Sequence, residues 1–192
     1  MNIAHIEEHS YIYGPGCRFV IWVQGCSIRC SGCWNQKMWS FQKRNEITIQ
    51  SLLKKISKET EHIEGITLLG GEPLDQYEEV VSLLVACRNI NLSTMVFTGY
   101  EMNEIYDKGF NKILNYSDIL ITGRYEKKKR TINHQWIGST NQNVLFLSDR
   151  YKNYELMNKN FVEISIDESG KITTLGFPDK ETLCIINNLP AN

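Results

Sequence analysis

Three cysteines fall within eight residues: Cys26, Cys30 and Cys33, spaced C-x3-C-x2-C. Thiolates are soft donors that suit iron–sulfur clusters, zinc or copper(I). A 4Fe–4S cube ordinarily takes four cysteines. Three close ones leave one iron without a protein ligand, open to bind and activate a small molecule. Structural zinc is the alternative. It wants four closed ligands, usually as two short pairs. No fourth Cys or His follows closely here, so His5, His9, His62 or His134 would have to fold in. Spacing alone leaves both readings open.

A second constellation is Gly70-Gly71-Glu72-Pro73, directly after the apolar run GITLL. Paired glycines let a ligand come close to the backbone. The end of a strand in an α/β sheet is the usual place for a ligand. Glu72 can accept hydrogen bonds from an ammonium group. Alone, these four residues read as a plain turn; behind a strand and downstream of a cysteine loop they read as a site.

The elements that must position both follow from periodicity. Arg18 to Gln24, RFVIWVQ, is an apolar run that predicts a buried strand. The cysteine loop then runs from Gly25 to about Asn35. Thr48 to Lys58 has helical spacing, with Ile49, Leu52, Leu53 and Ile56 on one face and Thr48 as N-cap. Gly65 to Leu69 is a short strand. Asp75 to Asn89 is a second helix with a buried stripe of Val80, Val81, Leu84 and Val85. Ser93 to Thr98 and Ser117 to Thr122 are strands, with a short helix between them near Glu101 to Lys108. This alternation predicts an α/β domain with a mainly parallel sheet. Beyond Gly123 the pattern changes: Asn143 to Leu147 reads as a strand, and Phe161 to Ile166 and Lys171 to Leu175 flank Asp167-Glu168-Ser169-Gly170 as a hairpin. Asp179 to Asn188 reads as a short helix.

At 192 residues one domain is expected. With a net charge of −1, no global field favours nucleic acid or an anionic membrane. No stretch approaches the ~18 apolar residues of a membrane span, and MNIAHIEEHS has neither a basic nor an apolar leader segment. These features point to the cytoplasm, where thiols stay reduced and six cysteines read as metal or redox groups rather than disulfides.

The cysteine spacing and the GGEP turn together resemble the radical S-adenosylmethionine (SAM) enzymes. That resemblance implies that Cys26, Cys30 and Cys33 hold a 4Fe–4S cluster whose fourth iron is chelated by SAM. It implies one-electron cleavage of SAM to a 5′-deoxyadenosyl radical that abstracts hydrogen from a substrate, with the hard chemistry residing in the cofactors. Gly70, Gly71, Glu72 and Pro73 would hold the methionine end of SAM. Gly32 and Trp34, beside the third cysteine, would lie near the adenine, with Thr98 and Asp118, taken to lie at successive strand ends, as further SAM neighbours.

The resemblance narrows. Gly14-Pro15-Gly16-Cys17-Arg18, then IWVQGC, CSGCWN and Trp39, are similar to the activating components of anaerobic ribonucleotide reductases. Val96 to Tyr100, Asp118 to Tyr125 and Gly138 to Gln142 match further segments of that family. Thr122 departs from it, standing where an acidic residue is common. The segment from about Tyr151 onward also departs, extending past the shortest members. The fold implied is a partial (β/α) barrel of the radical SAM type over residues 1–150. A C-terminal extension, 151–192, would carry the β-hairpin and pack on the same domain. Four or five strand–helix units cannot close an eight-stranded barrel, so the cluster would face an open side. An open side suits a loop of a protein partner. The implied partner is a glycyl-radical enzyme such as anaerobic ribonucleotide reductase, with flavodoxin or ferredoxin as electron donor. The extended C-terminus favours another radical SAM reading, modification of a peptide or small molecule. A non-catalytic zinc module is the alternative of another class.

Other features have bland readings. Lys127 to Arg130 reads as a solvated charged loop rather than a docking patch. Cys17, Cys87 and Cys184 read as small buried hydrophobes. Arg124 either meets the SAM carboxylate or sits on the surface. Tyr100 reads as a half-buried strand-end residue, and His134 has no partner in the sequence.

Overall fold

The structure, a computed structural model, describes residues 1–187. Six strands form one open sheet in sequential order: β1 (Ile3–Ser10), β2 (Arg18–Val23), β3 (Gly65–Gly70), β4 (Ser93–Phe97), β5 (Ile119–Thr122) and β6 (Asn143–Phe146). Strands β2 to β5 run parallel, and β1 and β6 are antiparallel edges. Four helices accompany them: α1 (Ile49–Ile56), α2 (Tyr77–Asn89), α3 (Met102–Asp107) and α4 (Lys112–Tyr116). The mixed α/β class and the largely parallel sheet agree with the sequence.

The central strands are apolar throughout because both faces are covered. Alternate residues divide between the two sides. Phe19, Ile21, Ile66, Leu68, Val96 and Leu120 pack with residues of all four helices, including Leu52, Leu84, Ile105 and Ile113. Val20, Trp22, Leu69, Met95, Ile119 and Ile121 point the other way, against Tyr13, Trp136 and Tyr151 from the irregular segments. Helices on one side and loops on the other leave the strand ends accessible.

Several elements differ from the sequence expectation. Strand β1 was not expected. Its polar residues His5, Glu7, Glu8 and His9 mask the period of a one-sided edge strand, for which pairing to β2 supplies the hydrogen bonds. Helix α2 starts at Tyr77, after a 3-10 turn over Pro73–Gln76, and buries Leu83 and Cys87 where Val85 is only half-buried. Helix α4 is also additional. Cys184 is exposed rather than buried, whereas Cys17 and Cys87 are buried as expected.

The expected hairpin forms from β7 (Val162–Ile166) and β8 (Ile172–Gly176), followed by α5 (Lys180–Asn187). The expected end of that helix, Asn188, lies outside the described residues. Asp167 organises the turn by accepting from the amides of Ser169 and Lys171 at 2.9 and 3.0 Å. The hairpin is tied to the sheet side. The Gly176 amide donates to Tyr13 Oη at 2.9 Å, and Leu175 packs in the Trp22 cluster. No helix among the described residues is long and apolar enough to cross a membrane.

The GPGCR segment belongs to the N-terminal ends of the strands. There Arg18, fully buried, donates to Thr67 Oγ1 at 3.1 Å and to the Ser93 hydroxyl and Ile66 carbonyl. Tyr151 Oη reaches Glu64 and Ser93 beside it. This buried network and its glycines are structural.

Thr48 caps α1: its hydroxyl accepts from the Ser51 amide at 3.1 Å. Thr48→Ala is expected to cost about 1 kcal/mol, measured by urea unfolding.

Candidate metal centre and cofactor cleft

The cysteine loop leaves the C-terminal end of β2 and is held against the end of β3. The Gly71 amide donates to the Val23 carbonyl and the Glu72 amide to the Gly25 carbonyl, each at 2.8 Å. These two bonds extend the β2–β3 pairing into both loops. The approach is so close that a Cβ on Gly71 would lie 2.0 Å from the Gly25 oxygen, and one on Gly70 2.7 Å from Trp22 Cα. Gly70 also has φ +109°. Both glycines are therefore required by the chain itself, before any ligand is considered.

Within the loop, Asp75 accepts from the Ser27 amide at 2.6 Å and its hydroxyl at 2.7 Å. Tyr100 Oη lies 3.0 Å from the same hydroxyl. The Cys33 amide returns to the Cys30 carbonyl at 3.0 Å. Asn35 bridges outward, its amide to Cys33 Sγ at 3.4 Å and its side-chain nitrogen to the Gly70 carbonyl at 3.3 Å. Cys26 is buried, while Cys30 and Cys33 are half-buried. Burial pushes the Cys26 and Cys30 thiols up. Peptide N–H groups of Arg29 and Ile28 at Cys26, and of Tyr125 at Cys30, act in the opposite sense by favouring thiolate.

All three cysteines line one cleft with Gly70, Gly71, Glu72, Thr98 and Gly99, and with Ile28, Phe97, Tyr125, Gln142 and Phe177. Glu72 is 2% exposed. Its carboxylate accepts from the Leu74 amide at 2.9 Å, Thr98 Oγ1 at 2.7 Å and the Gly99 amide at 2.8 Å. Burial raises its pKa to about 7 in spite of those three donors. A carboxylate has roughly four lone-pair directions, so one direction remains for a cationic donor in the cleft.

The sequence-predicted residues do not all meet. Cys26, Cys30, Cys33, Gly70, Gly71, Glu72 and Thr98 converge on the cleft. Pro73 sits buried behind it at the start of the 3-10 turn. Trp34, 50% exposed, lines an adjoining aromatic cleft with Phe97, Trp136 and Phe177. Gly32 (φ +77°) faces Lys127 on the outer side of the loop. Asp118 is at the wrong end. It precedes β5 and accepts from the Thr94 amide at 2.8 Å, among Arg88, Asn91 and Arg150, so it is not a cleft residue. Arg124 makes a two-pronged pair with Glu104 at 2.6 and 2.7 Å, the surface reading of that residue.

Sequence reasoning missed Asp75, Asn35, Phe97, Gln142 and Phe177. Gln142 shapes the rim: its Oε1 accepts from the Gly138 and Ser139 amides and its Nε2 donates to the Gly123 carbonyl. The only signal for it was its place in the segment Gly138 to Gln142.

Three thiols and no histidine line the cleft. A 4Fe–4S cube takes such soft donors, each on a separate iron.

The chain matches the family model described as 4Fe-4S single cluster domain over residues 12–145. It is 35% identical to the anaerobic ribonucleoside-triphosphate reductase-activating protein of Enterobacteria phage T4, over 75% of this chain and 93% of that one. It is 31% identical to the protein of the same name from Haemophilus influenzae, over 74% and 96% respectively. A pyruvate formate-lyase-activating enzyme of Clostridium pasteurianum is 32% identical over 62% of this chain, which spans half of that relative.

Two expectations follow. Gly71→Ala is expected to push the cysteine loop off β3, costing about 1–3 kcal/mol and lowering iron bound after anaerobic reconstitution. Glu72→Gln is expected to change the pH dependence of the metal-free protein. The Glu72 carboxyl rises from 4.5 to about 7 on folding. Between those values the unfolded chain has released a proton that the folded chain keeps, so wild-type stability falls as pH rises and the loss is complete above the window. Thermal melts at about pH 4 and about pH 8 should show that decline in the wild type and a flatter profile in the variant.

Proposed function

We propose a function from one premise: the chain belongs to the radical SAM family of glycyl-radical-activating enzymes, whose 4Fe–4S single cluster domain it carries. The proposal is that it binds a 4Fe–4S cluster through Cys26, Cys30 and Cys33, and SAM beside it. It would then install a glycyl radical on a partner such as anaerobic ribonucleotide reductase. The observation that carries this is the single cleft in which three thiols face the Gly70–Glu72 turn and Thr98. Bound there, the cluster and SAM would supply one-electron chemistry that ends in removal of a hydrogen atom from the substrate.

The chain's own residues bind, orient and shield. Glu72, fixed by Leu74, Thr98 and Gly99, offers its remaining acceptor direction to the ammonium of SAM. A cation there would favour the ionised carboxylate and offset its burial. Gly71 keeps the loop seated on β3, so the cluster and the methionine site move as one body. Phe97 and Phe177 supply an apolar side to the cleft that limits water. Gly32 and Trp34 would neighbour the adenine through the backbone around Cys33. In this reading residues 1–150 form the partial barrel and 151–192 an extension packed on it. A flavodoxin or ferredoxin is the electron source.

One observation favours a second reading, modification of a peptide or small molecule. Phe177 of the C-terminal extension lies in the cleft, narrowing access for a thick protein loop.

After anaerobic reconstitution the protein is expected to hold about four iron and four sulfide per chain. Reduced with dithionite, it should convert SAM to 5′-deoxyadenosine, and Cys30→Ala should form none. Electron paramagnetic resonance on a mixture with the candidate reductase should show a glycyl radical. Product that persists in Cys30→Ala would refute the cluster assignment, and cleavage with no radical on the reductase would favour the second reading.

A further inference from the structure

The run Lys127 to Arg130 is exposed, as a solvated charged loop should be, and it also lies against the cysteine loop. Lys127–Lys129 form a 3-10 turn, and the stem of Lys127 lies on Gly32, between Cys30 and Cys33. A Cβ on Gly32 would sit 2.9 Å from Lys127 Cδ and 3.2 Å from its Cβ. The peptide of Tyr125, two residues earlier, hydrogen-bonds to Cys30. Ser31, Tyr125, Glu126, Lys127 and Lys128 line one shallow hollow on the outer side of the cysteine loop.

The charge here is local, because the whole chain carries −1. Glu126 neutralises Lys129 at 3.0 Å and Glu104 neutralises Arg124 at 2.6 Å. Lys127 and Lys128 line this hollow and form no ion pair among the described residues, so their positive charge there is uncompensated. On the proposed function, SAM and substrate take the cleft side of the cluster. The outer side, where Ser31 is exposed between Cys30 and Cys33 in the chain, is the remaining short route for an electron. Electron transfer weakens steeply with separation, so a donor must dock on that side.

We propose that the surface formed by Ser31, Lys127 and Lys128 docks a small acidic one-electron carrier protein, which reduces the cluster through the Cys30–Cys33 loop. The inference rests on the proposed function. In the step, the carrier's reduced flavin or iron–sulfur group loses one electron and the oxidised cluster gains it. No atom moves and no bond is made or broken. Complementary charge raises association rates by about 10–1000-fold at low salt and loses that effect as salt screens it.

The test uses the cluster-loaded protein, flavodoxin as the probe, and Lys128→Glu. Lys152→Glu is the control with the same charge change, since Lys152 pairs with Asp149 in the turn beyond β6. Calorimetry should show flavodoxin binding weakened about tenfold or more at low salt in Lys128→Glu, with a shallower salt dependence. Reduction of the cluster by flavodoxin hydroquinone should slow in parallel. Reduction by dithionite and the Kd for SAM should be unchanged, and Lys152→Glu should match the wild type. Unchanged flavodoxin affinity in Lys128→Glu, equal loss in Lys152→Glu, or a loss confined to binding of the glycyl-radical partner or of nucleic acid would each overturn the proposal. Failure of the dithionite-reduced wild type to cleave SAM would instead defeat the proposed function, a result separate from the flavodoxin Kd.

Discussion

The candidate site depends on one close approach, the seating of Gly71 and Glu72 against Val23 and Gly25. Two 2.8 Å amide–carbonyl bonds carry the pairing of β2 and β3 past the end of the sheet. The cysteine loop therefore leaves from a rigid edge rather than a free one. A side chain at position 71 cannot be accommodated, because its first carbon would meet a backbone oxygen at 2.0 Å. A backbone oxygen, unlike the end of a flexible side chain, has no rotamer through which to move away. The three thiols inherit their placement from this contact, and Asp75 and Asn35 reinforce it from either side.

Glu72 shows what such placement costs. A carboxyl that is 2% exposed is held at about 7 by burial although three donors point at it. Burial thus disfavours the ionised form of this carboxyl, and a cation beside it would offset that cost. Placing an acceptor with a spare lone pair in a low-dielectric pocket is unfavourable for the fold alone, and it suits a group that waits for a cation. Thr98 and Gly99 make the arrangement cooperative. The end of β4 is tied to the end of β3 through the same carboxylate that would receive the ligand.

Two segments outside the strand–helix core converge on this region. The family match ends at residue 145, yet Phe177 lies in the cleft and meets Trp34 edge-on with centroids 6.1 Å apart. The Asn160 side chain and Arg130 fix the backbone carbonyls of Phe177 and Pro178 at 2.7 and 3.1 Å. Phe177 is accordingly part of the cleft wall. The basic turn at Lys127–Lys129 covers the other side of the cysteine loop. Cleft and outer surface therefore differ in character, one apolar with a buried acid and the other positively charged.

The sequence alone determined the cysteine spacing, the strand-ending Gly-Gly-Glu turn, the buried central strands with their helices, and the C-terminal hairpin. These are local signals: ligand spacing within a loop, hydrophobic period, and turn residues at short range. Strand β1 escaped because its polar face hides the period and its stability comes from pairing with β2. Asp118 was misplaced because a strand's sequence does not mark which end faces the ligand; only the sheet register does. The tertiary structure also decided that the paired glycines serve chain–chain contact, that Asp75 and Gln142 brace the rim, and that Phe177 and Lys127 flank the cysteine loop. Those contacts join residues between 19 and 143 positions apart (Gly123 to Gln142, Trp34 to Phe177, Gly32 to Lys127), and no local pattern encodes which distant side chain fills the space left beside a glycine.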